Sequence, residues 1–348
     1  MIEHPGPEAA ETGVVAVVGS TNSGRSAATL ALLNRAVALS GTVGYLGLDP
    51  GQFEASLPGT VVAAVASAPV GNLGELRTLE TVFAGDIVAP LRGGVGPLAA
   101  QRLLQPIRAA GGRLTIAECV WVGAGGGRDV RLPDELLALR PTEVLWIGSG
   151  AAPTSLAVWS ELVSGSPLRT LGFDPTTARS ESYLRLMRAG RLHRHLEHAR
   201  VHDLDLSEMC MIDSWLGWGE ALRTRELRDA AQALEQPVVY GERLDDQIWL
   251  CSERGIQRDS TQKLEELYGG RKVGVTPVGL FQGLYVGLMG PGARLLDVGV
   301  LRGINFERAV ISVITPLRSV ADVSAIRFGR VRLSGDGTVL QRLRPGDL

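Results

Sequence analysis

The run Val14-Val15-Ala16-Val17-Val18 is apolar at every position, the pattern of a central parallel strand covered on both faces. It breaks at Gly19-Ser20-Thr21-Asn22-Ser23-Gly24-Arg25-Ser26 and gives way to an Ala- and Leu-rich stretch over 27–39 that predicts a helix. Residues 42–48 predict a second strand, closed by the turn Asp49-Pro50-Gly51-Gln52. Residues 53–74 read as a mixed segment. Helices are predicted over 98–110, 133–139 and 155–162, strands over 114–117 and 143–147, and a basic helix over 179–199. Glycines 123–127 read as a loop.

After residue 206 the pattern changes. Short apolar runs recur at 238–240, 248–251, 272–278, 284–289, 295–301, 309–314, 326–333 and 338–343, separated by turn signals such as Pro291-Gly292. A helix is predicted near 219–234. The expected fold is α/β: a P-loop NTPase-like, doubly wound parallel sheet with a smaller β-rich C-terminal domain. The expected division is a flexible N-terminus over 1–12, a P-loop domain over 13–206 and the β-rich domain over 207–348.

Composition narrows the function classes. The chain has 348 residues, 45% hydrophobic and 21% charged, as in soluble globular proteins. No uncharged apolar run reaches a membrane-spanning length, and the first residues lack the pattern of a secretory leader. The net charge of −2 means that any polyanion site is a local patch. Cys119, Cys210 and Cys251 are scattered and odd in number, which argues against a disulfide framework or zinc site and leads us to expect a cytoplasmic protein. The basic residues are nearly all Arg; Lys occurs only at 263 and 272.

Strand, glycine loop and helix form the context of a phosphate-binding loop, and the spacing is that of G-x-x-x-x-G-K-[ST] with Arg25 at the Lys position. In such a loop backbone N–H groups and the helix N-terminus hold phosphates. Gly19, Ser20, Thr21, Asn22, Ser23, Gly24, Arg25, Ser26 and Ala27 are therefore the candidate nucleotide-binding residues, with Ser26 the candidate Mg²⁺ ligand. A tight strand-to-helix turn without a ligand has the same glycine spacing. Asp49, at the carboxyl end of the next strand, lies where open α/β sheets carry their sites; its carboxylate suits Mg²⁺ binding or proton abstraction, and Gln52 suits ordering a substrate oxygen. Between Arg179 and Arg200 stand six Arg against Glu181 and Glu197, a segment suited to phosphate contact once a P-loop is present.

The stretch Tyr45-Leu46-Gly47-Leu48-Asp49-Pro50-Gly51-Gln52-Phe53-Glu54, followed by Leu57-Pro58-Gly59-Thr60, resembles the signature after the P-loop in the polynucleotide 5′-hydroxyl kinases of the Clp/Grc type. Phe83-Ala84-Gly85-Asp86, Trp121 with its neighbours, Arg179-Ser180 and the run 284–305 resemble further parts of that family, so that the likeness covers nearly the whole chain, with no separate N-terminal β-domain expected. The resemblance implies transfer of the ATP γ-phosphate to the 5′-hydroxyl end of RNA or DNA, with ATP and Mg²⁺ as cofactors. It implies Asp49 as base and metal carboxylate, Ser26 as metal ligand, and Arg25, Arg179 and Arg185 as phosphate-facing cations. Gln52 would order the site, and Trp121 would stack on the terminal nucleotide. The chain departs from the family in four places: Arg25 stands for Lys, Glu118 and Val120 stand for Thr and Gly, Tyr183 stands for the second Arg of an Arg-x-x-x-Arg lid, and Gly47 stands where an acidic residue is often found. These departures leave open a non-catalytic member that binds nucleotide or RNA as a scaffold.

Overall fold

The computed structural model describes residues 12–88, 95–121, 134–148, 150–161, 165–172, 179–256, 258–344 and 346–348. The N-terminal segment expected to be flexible and the glycine loop 123–127 lie outside the described residues, apart from Thr12. The chain divides into two compact units, residues 1–188 and 189–348.

In the first unit the strands are β1 (Gly13–Gly19), β2 (Val43–Gly47), β3 (Thr60–Ala66), β4 (Arg77–Phe83), β5 (Leu114–Val120), β6 (Glu143–Gly148) and β7 (Leu168–Gly172), in sheet order β4-β3-β2-β5-β1-β6-β7. The five strands from β2 to β7 run parallel, but β3 and β4 add an antiparallel edge. Of that edge, β3 comes from the segment read as mixed, and β4 follows it in a stretch given no element. The helices are α1 (Arg25–Ser40), α2 (Val95–Ala109), α3 (Asp134–Leu139), α4 (Thr154–Trp159) and α5 (Glu181–Leu196), the last crossing into the second unit.

Alternation along β1 explains why helices cover both faces of the sheet. Val14, Ala16 and Val18 join a core with Leu103 and Ile107 of α2, Leu136 of α3 and Trp159 of α4. Val15 and Val17 join another with Leu33, Ala36 and Val37 of α1. Successive side chains of a strand point to opposite faces, so an unbroken apolar run needs a layer on each side. The carboxyl ends of β1, β2 and β5 are thereby held in register, with Val17 opposite Glu118 and Gly47 opposite the same Glu118.

The second unit has β8 (Arg200–Asp205), β9 (Cys210–Ile212), β10 (Glu220–Ala221), β11 (Val238–Leu244), β12 (Gln247–Ser252), β13 (Lys272–Pro277), β14 (Leu284–Gly290), β15 (Arg294–Asn305), β16 (Val310–Thr315), β17 (Ala325–Leu333) and β18 (Val339–Arg342), with α6 (Thr224–Leu234) and α7 (Arg258–Leu267). One sheet follows the order β18-β17-β14-β15-β16-β8, with β9 beside β17, and a smaller one the order β10-β11-β12-β13. Trp215 stacks on Tyr240 and Trp249, and Phe306 on Tyr240. The β-rich character read from the short recurrent runs is thus present, with α7 unanticipated. Among the described residues no helix is long and apolar enough to cross a membrane.

Candidate active site

Gly19 ends β1, and α1 begins six residues later. A Cβ at Gly19 would lie 2.5 Å from both the Ile147 carbonyl and Ser23 Oγ, so only glycine lets the loop fold this close to the sheet. Gly24 adopts φ 82° and serves as the N-cap of α1 without any side-chain cap. The first-turn N–H groups of this 16-residue helix are therefore left to a ligand or solvent, and its dipole favours an anion.

The loop side chains divide into two sets. Asn22, itself left-handed at φ 65°, bridges to the backbone just before α5: its amide exchanges two hydrogen bonds with the backbone of Arg179, Nδ2 donating to the carbonyl and Oδ1 accepting from the N–H at 3.0 Å. Arg25 turns inward and is 5% exposed. Its Nη2 lies 2.5 Å from Asp49 Oδ2, while Nε and Nη1 are buried without a hydrogen-bond partner. Burial opposes the cation, but Asp49 and Glu118 outweigh it and hold the guanidinium above its ordinary range. Ser23 Oγ is also buried without a partner. Unsatisfied buried donors beside an uncapped helix N-terminus are what a phosphate group would complete.

Asp49 follows β2 by two residues and closes a tight turn. Its Oδ1 accepts from the Gly51 N–H at 2.8 Å, and its carbonyl accepts from the Gln52 N–H at 3.0 Å. Gln52 is more constrained than the sequence suggests. Its Oε1 accepts from the N–H groups of Phe53 and Glu54 at 2.7 and 2.8 Å, and its Nε2 donates to Ser26 Oγ at 3.2 Å. The side chain is thus a brace between the Asp49 turn and the phosphate loop. Ser26 in turn donates to Glu118 Oε1 at 2.8 Å, and Tyr45 donates to Glu118 Oε2 at 3.0 Å. Burial raises the Glu118 carboxyl above its ordinary range, with Arg25 opposing.

These groups surround a cavity of about 460 Å³ lined by residues 21–27, Asp49, Gln52, Phe53, Arg179 and Arg188 among others. Arg188 was not singled out from the sequence. Its Nε donates to the Gly51 carbonyl at 2.8 Å, and burial lowers its basicity while Asp49 opposes. Leu184, one turn earlier on α5, lines the same cavity. Arg179 stands at the rim, 3.6 Å from Glu54 Oε1 and 5.4 Å above the Tyr183 ring.

Two residues singled out from the sequence, Arg185 and Trp121, stand outside the cavity lining. Arg185 is 69% exposed and pairs with Glu181 at 2.8 Å on its own helix, outside the cavity lining; Arg188 is the α5 cation that faces in. Trp121 is 4% exposed and packs edge-on against Trp146, ring centroids 6.1 Å apart, so its faces serve the core and offer no stacking surface.

Among the described residues no three His, Cys, Asp or Glu gather as a metal cage. A Mg²⁺ ion on a nucleotide needs no cage, because phosphate oxygens and water supply most ligands. The Ser26 hydroxyl, on the cavity lining and backed by the buried Glu118 carboxylate, fits that chemistry.

Residues 19–88 match the family model of the mRNA cleavage and polyadenylation factor CLP1 P-loop. The chain is 23% identical over 335 residues to a polyribonucleotide 5′-hydroxyl-kinase of Pyrococcus furiosus, covering 94% of this chain and 89% of the relative. A polyribonucleotide 5′-hydroxyl-kinase of Thermococcus kodakarensis is 24% identical over 335 residues, with 95% and 91% covered. Among solved structures, Clp1p in the wild-type Clp1p–Pcf11p complex aligns with a TM-score of 0.55 at 12% identity, over 92% of this chain and 74% of that one, a likeness of fold. Residues 19–88 are thus similar to a CLP1-type P-loop, the fold is like that of Clp1p, and over most of its length the chain is similar, at 23–24% identity, to polyribonucleotide 5′-hydroxyl kinases.

Proposed function

We propose that this chain is an ATP-dependent polynucleotide 5′-hydroxyl kinase. The observation that carries the reading is the convergence on one cavity of an uncapped P-loop helix, the Asp49 carboxylate and three Arg side chains, Arg25, Arg179 and Arg188. Phosphoryl transfer asks little covalent chemistry of a protein; it asks for positioning and for cations around a spreading negative charge. The loop N–H groups and Arg25 would hold the ATP phosphates, and Arg188 would meet the transferring group from the α5 side. Asp49 would accept the proton of the 5′-hydroxyl as its oxygen bonds to the γ-phosphorus and the bond to the β–γ bridging oxygen breaks, releasing ADP. Mg²⁺, when bound, neutralises charge on the β and γ oxygens. Phe53, on the cavity wall, is the aromatic available to the acceptor end.

The test is transfer of label from γ-labelled ATP, with Mg²⁺, to 5′-hydroxyl oligonucleotides of RNA and DNA in parallel. Transfer by the parent and its loss in Asp49→Ala supports the reading; no transfer to either polymer overturns it.

One observation favours a second reading. Asp49, the candidate base, is held in a buried ion pair by Arg25. A chain in which that pair never opens would bind nucleotide or RNA as a scaffold without turnover. Nucleotide binding by calorimetry with no transfer would select it, and transfer that depends on Asp49 would exclude it.

A further inference from the structure

We propose that the carboxylate which orients the Mg²⁺ ligand in this chain is Glu118, acting through Ser26, and that Asp49 does not serve the metal. The inference rests on the nucleotide-binding part of the kinase reading and departs from the role first expected of Asp49.

Asp49 is committed elsewhere. Its Oδ2 is held by the Arg25 guanidinium at 2.5 Å and its Oδ1 by the Gly51 N–H at 2.8 Å. A cation placed against this carboxylate would lie beside a buried, permanently protonated guanidinium, which repels it.

Ser26 has the opposite wiring. A hydroxyl offers one hydrogen and two lone pairs. Its hydrogen goes to Glu118 Oε1 at 2.8 Å, and one lone pair receives the Gln52 amide at 3.2 Å. One lone pair remains, on a residue that lines the cavity. Glu118 fixes this arrangement because it accepts from Ser26 and leaves that lone pair unused. Glu118 is itself fixed: it is 1% exposed, and Tyr45, fully buried, donates to its second oxygen at 3.0 Å.

The origin of this wiring is visible across the sheet. Glu118 on β5 is the direct Cα partner of Gly47 on β2. A Cβ at position 47 would lie 2.8 Å from the Tyr45 hydroxyl, the group that holds Glu118. A side chain at 47 and the Tyr45–Glu118 contact therefore exclude one another. The carboxylate that the sequence resemblance leads one to look for at 47 is supplied by the neighbouring strand. Glu118 is a positioning residue in this account, since it touches the metal ligand and does not line the cavity.

The test measures ADP affinity by calorimetry with Mg²⁺ and with EDTA, so that the readout is the gain from Mg²⁺ and not turnover. In Glu118→Gln the Mg²⁺-linked gain is expected to fall about tenfold, the scale for losing the partner of a metal ligand, while affinity in EDTA stays within about twofold. In a Ser26→Ala background the same change should have no further effect, because Glu118 acts through Ser26. Tyr45→Phe, which keeps the ring in place, should lower the gain in the same direction if Glu118→Gln does not fold. An unchanged gain in the folded Glu118→Gln protein overturns the proposal, as does a parent that shows no Mg²⁺-linked gain. A parent that binds Mg²⁺–ADP through Glu118 but phosphorylates no oligonucleotide sinks the kinase reading and upholds this one.

Discussion

The Arg25 guanidinium and the Asp49 carboxylate meet at 2.5 Å at the floor of the candidate site, and both are largely withdrawn from water. The pair ties the phosphate loop after β1 to the turn after β2, with β5 between those strands in the sheet, and it ties the candidate base to the candidate phosphate ligand. Asp49→Asn keeps the volume and the Gly51 turn while removing the charge. Transfer to a 5′-hydroxyl end should fall by about 10²–10⁴, the range for a lost general base. Removing one partner of a buried pair also costs about 3–5 kcal/mol of stability, so the melting temperature should drop with the rate. A variant that keeps its rate shows that Asp49 is structural.

Arg25→Lys separates grip from restraint. The Lys ammonium is compact and ends short of the position of Nη2, so it can hold phosphate without holding Asp49 as closely. We expect transfer at saturating ATP to be preserved or raised, and thermal stability to fall by roughly 1–3 kcal/mol through the weakened pair. A large loss of rate with nucleotide affinity intact would mean that the guanidinium itself stabilises the transferring group.

The two α5 cations should behave differently although they stand three residues apart. Arg188 donates to the Gly51 carbonyl and lines the cavity, whereas Arg185 is bound to Glu181 in solvent. Arg188→Ala is expected to lower kcat by about 10–10³, as for other donors aimed at developing charge. Arg185→Ala should change kcat by less than about twofold, since exposed pairs contribute little. Steady-state kinetics on both variants, with circular dichroism as a check on folding, decides between them.

What could be read beforehand followed from local chemistry. The all-apolar run over 14–18 and the glycine spacing after it needed only the strand and loop rules, and β1, the loop and α1 lie where those rules put them. The turn at Asp49 was legible for the same reason. The Arg row at 185, 188, 191 and 194 could not disclose its inward member, because a three-residue spacing winds around a helix; in the structure buried Leu184 and Arg188, one turn apart, line the cavity together. Strands β3 and β4 were missed for two different reasons. The run over 60–66 carries Ala63, Ala64 and Ala66, a residue that strands disfavour, and 77–83 is mostly half-exposed. Glu118 was invisible as a ligand partner because its two contacts, Ser26 and Tyr45, come from 92 and 73 residues away.

Glu135 supplies a pH dependence that is independent of the site's chemistry. It lies in the first turn of α3, is buried, and burial raises its carboxyl to about 7 from an ordinary 4.5. Between those values the folded chain keeps a proton that the unfolded chain has released. Below about pH 4.5 both states are protonated and the group contributes no difference; as pH rises through the window toward 7 stability is lost, and above it the folded state carries a buried charge. A shift of this size corresponds to on the order of 3 kcal/mol. Glu135→Gln has the same shape and no charge to bury. Thermal melts from pH 5 to 8 should therefore show the parent losing stability relative to Glu135→Gln as pH rises, with the variant the more stable above pH 7. Parallel curves across that range would mean that Glu135 is solvated or paired when ionised.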